Sequence, residues 1–197
     1  MQRARTLAIV LSAALFAGCA FTPQTVVIEP MVEVTPSDIG GGHAVSVYVV
    51  DERDSTEIGR RGTGAMKGAA ITTEQDVASV FRRSIVENLN KMGYAASESL
   101  AGDPVAGGTL LRVDIRAINY ETSMGFWTGG VHARGSMKAT GTRGSTVYDK
   151  LYRVDDEKRV VVVPGADSNA QMVNTTVSAL LQEMFNDVEL MRYLAAD

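Results

Sequence analysis

The sequence predicts an α+β fold, a two-layer sandwich in which a mostly antiparallel sheet carries two long amphipathic helices on one face. Three observations point there. Strict apolar–polar alternation recurs at 44–50, 109–120 and 131–140, the period of half-buried strands. Apolar residues at three- and four-residue spacing recur at 77–92 and 173–191, each forming one stripe along a helix. The 197 residues suit one domain with a single core, so both stripes need the same sheet face to cover.

The first strand is expected from Ala44 to Val50, with Val45, Val47 and Val49 on one face. It ends at Asp51-Glu52-Arg53, where the i, i+2 spacing sets Asp51 and Arg53 to pin a loop by charge-assisted hydrogen bonds. A glycine-rich connection from Gly59 to Gly64, closing at Lys67-Gly68, reads as a surface loop. Its glycine amides with Arg60, Arg61 and Lys67 make a candidate anion contact. It is not a Walker loop, because Gly68 follows Lys67 where Ser or Thr is required.

The first helix is expected from Thr72 or Thr73, with Thr72 and Gln75 as a capping box. Val77, Val80, Phe81, Ile85, Leu89 and Met92 form its buried stripe, and Arg82, Arg83, Glu87 and Lys91 face away. Gly93 ends it in a left-handed conformation, and Tyr94 begins a short extended piece to Ser97. Thr109–Tyr120 then places Leu111, Val113, Ile115 and Ala117 inward, and Arg112, Asp114 and Arg116 outward. Val131–Thr140 sets Val131, Ala133, Met137 and Ala139 inward, with His132, Arg134 and Lys138 outward. A turn over Gly141–Gly144 leads into Val147–Val154, with Arg159–Val163 as a short addition. The last helix is expected from a cap at Asp167 or Ser168, burying Val173, Val177, Leu180, Leu181, Met184, Val188 and Met191. The charged outer sheet face is solvated or met by the N-terminal segment.

Ahead of this domain, Arg3 and Arg5 precede an apolar run from Leu7 to Phe16 broken only by Ser12. A basic start and a short apolar stretch make a secretory signal, too short to span a bilayer, which needs about 20 residues. The junction Phe16-Ala17-Gly18-Cys19 resembles a bacterial lipobox, with Phe where Leu is commonest. The resemblance implies cleavage before Cys19 and lipidation of its thiol. Ala20, by resemblance to the lipoprotein sorting rule, implies the outer membrane, with the domain facing the periplasm. The chain is thus divided into a signal peptide at 1–18, a lipidated Cys and Pro/Gly-containing tether at 19–42 with one or two edge-strand contacts, and a domain at 43–197. Removal of the signal takes away Arg3 and Arg5 and no acid, leaving 17 basic against 23 acidic side chains and a net charge of −6. Such a surface does not attract nucleic acid or anionic headgroups over its whole area, so attachment falls to the lipid.

The lipobox, the proline-bearing segment, the valine strand ending in Asp51-x-Arg53 and the helix closing at Gly93-Tyr94 together resemble the YajG-type small lipoproteins of Gram-negative bacteria. The Tyr148–Val154 strand before a long C-terminal helix continues the likeness. The resemblance implies an outer-membrane lipoprotein without assigned activity, catalytic residues or cofactor.

Nucleophilic catalysis needs a nucleophile, a base and an orienting acid. The two histidines, His43 and His132, read as solvated, and no His/Cys/Asp/Glu spacing suits a metal. No catalytic residue, cofactor or metal is therefore expected. Met124, Phe126 and Trp127 gather at one strand connection and are the candidate contact for an envelope protein or glycan, with Trp127 as a cap on the core the other reading. The favoured function is non-enzymatic binding of a cell-envelope component. The alternative is a periplasmic hydrolase acting on cell-wall material.

Overall fold

The protein is described by a computed structural model over residues 22–61, 68–104, 106–124, 129–160 and 164–196. The chain runs β1 (Gln24–Thr25), β2 (Ala44–Asp51), β3 (Glu57–Arg61), β4 (Ala69–Thr72), α1 (Val77–Lys91), β5 (Ala95–Glu98), β6 (Thr109–Met124), β7 (Gly129–Arg143), β8 (Thr146–Val160), α2 (Ala166–Phe185) and α3 (Val188–Leu194).

Strand β6 is the spine of one eight-stranded sheet. Along one edge it pairs antiparallel with β7, from Leu110↔Thr142 to Met124↔Gly129, and β8 lies beyond. Its other edge is shared. β2 runs parallel to its first half and β3 to its second, with Gly59 opposite Tyr120. β5 flanks β2, while β4 and then β1 flank β3.

Among the described residues, four of the seven strand pairings are parallel, which corrects the expectation of a mostly antiparallel sheet. The cause is the crossover through α1, which returns the chain so that β5 lies parallel beside β2. Alternation did not reveal this, because β2 is covered by helix on one face only and so alternates like a half-buried antiparallel strand. The helices also depart from expectation, being three rather than two among the described residues. Asp187 caps a separate α3 by accepting from the amides of Glu189 and Leu190 at 3.0 and 3.3 Å. Val188, expected in the buried stripe, is consequently 54% exposed, while Met191 is buried.

All three helices pack on one sheet face, α1 over β2 and β5, α2 over β6–β8 and α3 over β7. The stripes meet the valines and the inward residues of β6 and β7 in one core, in which Phe81, Ile85, Leu89, Leu180 and Leu181 have no exposed surface. Each such side chain contributes about 1.5–3 kcal/mol.

Local departures have local causes. The helix α1 is capped by Asp76, not Thr72, since Thr72 is the last residue of β4 and pairs with Glu57. Arg82 is buried rather than turned away, with Nε donating to Glu98 at 2.9 Å. A register shift between Ile115 and Ala117 turns Ile118 and Tyr120 inward and leaves Ala117 half-buried. The β7–β8 turn is the pair Gly144-Ser145, with Gly144 at φ +55°. β8 is one unbroken strand, and α2 begins after Gly165 with no side-chain cap.

Residues 59–61 belong to strand β3 rather than to a loop. Glycine is needed at 59 for approach, not flexibility: a Cβ there would lie 1.8 Å from the Tyr120 carbonyl oxygen.

The N-terminal segment lies on the helices, not on the outer sheet face. After β1 pairs with β4, Val26 and Ile28 are buried at 1% exposure, and Val32 and Val34 pack against the core. The backbone is extended like a strand, but helix side chains replace a neighbouring strand. The Glu29, Met31 and Glu33 amides donate to Asn174 Oδ1 (2.7 Å), Ser178 Oγ (2.9 Å) and Gln182 Oε1 (2.9 Å). Asn174 and Gln182 also donate back to the carbonyls of Val27 and Glu33. Spacing of four places these side chains in one row along α2.

Candidate functional site

One end of the sheet gathers more elements than the other. It is the end where β6 and β7 finish their pairing at Met124↔Gly129, where β8 ends at Val160, and where α2 starts. A groove of about 620 Å³ lies here between β8 and the first turns of α2. Tyr120, Val131, Val160, Pro164 and Met172 give it an apolar floor, and Asp156, Lys158, Ser168, Gln171 and Thr175 give it polar sides.

A hydrogen-bonded cluster braces the groove from behind. The Tyr120 hydroxyl donates to Asn169 Oδ1, and Asn169 Nδ2 donates to Gln24 Oε1 at 2.8 Å. Gln24 Nε2 then donates to the Ala166 carbonyl at 2.7 Å, so β1 is stitched to the start of α2. Asn169 has no exposed surface. Burial pushes the Tyr120 phenol up to about 12, with Arg61 pulling the other way.

The residues singled out in the sequence are dispersed. Arg60 forms a two-pronged ion pair with Glu57, both bonds at 2.8 Å, and its charge is neutralised. Arg61 turns inward to 6% exposure, where one terminal nitrogen donates to the Pro164 carbonyl at 3.3 Å. Its Nε is buried without a hydrogen-bond partner among the described residues. The two cations are therefore not brought together, and Lys67 lies outside the described residues. Cys19, Ala20, Phe126 and Trp127 also lie outside them, while Met124 is the last residue of β6.

Asp51 and Arg53 form the expected loop pin, with Arg53 donating to both carboxylate oxygens at 2.8 and 2.7 Å. His132 lies on the outer face, 3.8 Å from Glu157. That face carries further pairs, Arg112–Asp114 at 2.6 Å, Lys138–Asp149 at 3.0 Å and Arg134–Asp155 at 3.3 Å. Among the described residues, no group of three His, Cys, Asp or Glu side chains is placed to hold a metal ion. No described helix is long and apolar enough to cross a membrane.

Sequence reasoning missed the most polar buried cluster. Tyr148, Lys150 and Tyr152 alternate along β8, and all donate to Asp187 Oδ2, at 2.7, 2.9 and 2.6 Å. Burial by itself would raise the Asp187 carboxyl. Bonds from Tyr152, Lys150, Tyr148 and the Leu190 amide outweigh it and hold the group well below the usual carboxylate range. Tyr152 and Tyr148 are pushed far up, first by burial and then by bonding to the carboxylate. A carboxylate so saturated has no lone pair free to act as a base. The signal was the period-two run Tyr-x-Lys-x-Tyr, although nothing in it points to a partner 35 residues onward.

A family model described as an uncharacterised lipoprotein, Lipoprotein_16, matches residues 30–195. No curated protein matches the chain. Among solved structures, XCC0632 from Xanthomonas campestris, of the DUF330 family, is similar at 13% identity and TM-score 0.57, over 87% of this chain and 97% of that one. An uncharacterised protein is similar at 11% identity and TM-score 0.51, over 84% of this chain and all of that one. At these identities the likeness is one of fold.

Proposed function

Because the chain belongs to the Lipoprotein_16 family of uncharacterised lipoproteins, we propose that it is anchored through lipid on Cys19 and binds another envelope component without catalysing a reaction on it. Ala20 directs it to the outer membrane, with the domain on the periplasmic side. The observation that carries the binding role is the groove between β8 and α2, an open apolar floor with polar sides on rigid elements. The hydroxyls that line it, on Tyr120, Ser168 and Thr175, have no histidine beside them among the lining residues, and the Tyr120 phenol is raised rather than activated. The connection holding Phe126 and Trp127 leaves the sheet at Met124↔Gly129, two register steps beyond Thr122↔Val131, and Val131 lines the groove. Met124, Phe126 and Trp127 are kept as the candidate contact for that component, Phe126 and Trp127 lying outside the described residues.

Two measurements test this reading. Cys19→Ser abolishes labelling by a fatty-acid analogue, and persistent labelling would refute the anchor. A photocrosslinking residue at Gln171, in growing cells, captures one discrete component, whereas the same residue at Ser145 in the β7–β8 turn does not. Equal capture from both positions would refute the groove as the contact.

A further inference from the structure

Gln24 is held on two sides. Its backbone pairs with Ile71 in β4 and its side chain joins Ala166 and Asn169 at the start of α2. Only four residues separate it from Cys19, and the five residue-to-residue steps, at ~3.3–3.6 Å each, span at most about 18 Å. β1 runs parallel to β4, β4 antiparallel to β3, and β3 parallel to β6. The chain preceding Gln24 therefore leaves toward the end where β6 finishes, which is the groove end. The opposite end, the Gly144-Ser145 turn, stands one full length of β7 away, ~46 Å for its 15 residues.

We infer that the domain stands end-on against the leaflet that holds its lipid, with the groove end down and the β7–β8 turn projecting into the periplasm. The partner of this end face is the lipid surface itself. The row of Asn174, Ser178 and Gln182 prevents the following segment from lengthening the connection, because residues 26–34 are held along α2. A lipoprotein with a freely swinging tether samples all orientations; this one is restrained to one. A ligand reaching the groove then comes from, or rests on, the membrane surface. The inference rests on the lipid anchor proposed above.

The full lipidated protein, in phosphatidylethanolamine/phosphatidylglycerol vesicles carrying a headgroup energy acceptor, tests the orientation. Cys19 is the only cysteine and its thiol is blocked by the lipid, so a donor dye can be placed singly at Ser168→Cys or Ser145→Cys, both exposed. Transfer is expected to be several-fold stronger from position 168 than from 145. Inserting ten flexible Gly/Ser residues between Thr22 and Pro23 is expected to abolish that difference. Vesicle flotation with equal transfer from both positions, or stronger transfer from 145, would overturn the orientation while leaving the anchor intact. A difference that survives the insertion would overturn the short connection as its cause. Failure of the unmodified chain to float with the vesicles would remove the anchor, and the orientation with it.

Discussion

The two polar clusters on the inner face of the sheet differ in how completely they are satisfied. At the α2–α3 junction, Asp187 Oδ2 receives two phenols and an ammonium, while Oδ1 receives two amides. At the groove end, Tyr120, Asn169 and Gln24 bond in series with the groove beside Tyr120, but Arg61 Nε has no partner among the described residues. A saturated cluster can only hold elements together. The groove-end cluster is less completely bonded and braces the wall of an open groove through Tyr120. The first cluster serves folding, and the second lies where the binding role is proposed.

The strongest challenge to that division is Asp187→Ala, expected to destabilise by about 3 kcal/mol because it strands two phenols and leaves α3 uncapped. Chemical denaturation measures it, and a loss under 1 kcal/mol would demote the cluster. Acid sharpens the point. The folded carboxyl lies below its unfolded value of ~3.9, so the unfolded chain binds the proton first. The stabilisation is therefore full above that value and is lost as pH falls toward the folded one. The denaturation midpoint of Asp187→Asn should fall less between pH 5 and pH 2 than that of the native chain.

Asn169→Ala should cost about 2 kcal/mol, since Tyr120 and Gln24 lose their shared partner in a buried setting. Gln182→Ala removes two partly exposed bonds to Glu33 and should cost about 0.5–1 kcal/mol, read by denaturation or by amide exchange at Glu33. Arg61→Met carries the smallest expected change, within about 1 kcal/mol of zero, because a buried cation with an unpaired nitrogen adds little to stability. The same variant should lower crosslinking from Gln171. A stability loss above 2 kcal/mol with crosslinking unchanged would move Arg61 to the folding side.

What could be read from sequence was what repeats locally. Val45, Val47 and Val49, the α1 stripe from Val77 to Leu89 and the α2 stripe from Val173 to Met184 occupy the core as their spacing requires. Pairing direction depends on where the chain returns after α1, which no spacing within β2 or β6 encodes. Gly59 and Arg61 looked like loop residues because glycine favours turns, yet here glycine admits the Tyr120 backbone. The break between α2 and α3 was hidden because Val188 and Met191 continue the stripe's spacing, while the cap at Asp187 interrupts the backbone. Arg61, Tyr120, Asn169 and Gln24 come from four separated segments, so the site they form has no sequence motif.

The row of helix side chains along residues 27–33 has a consequence for the order of events during synthesis. Asn174, Ser178 and Gln182 emerge about 145 residues after the backbone groups they bind. Until α2 is made, those early amides and carbonyls have only water for company. Docking of residues 27–33 on α2 therefore waits for α2, although β1 and Ile28 can already meet β4 and Gln75, and a chain shortened before Asn174 never completes it.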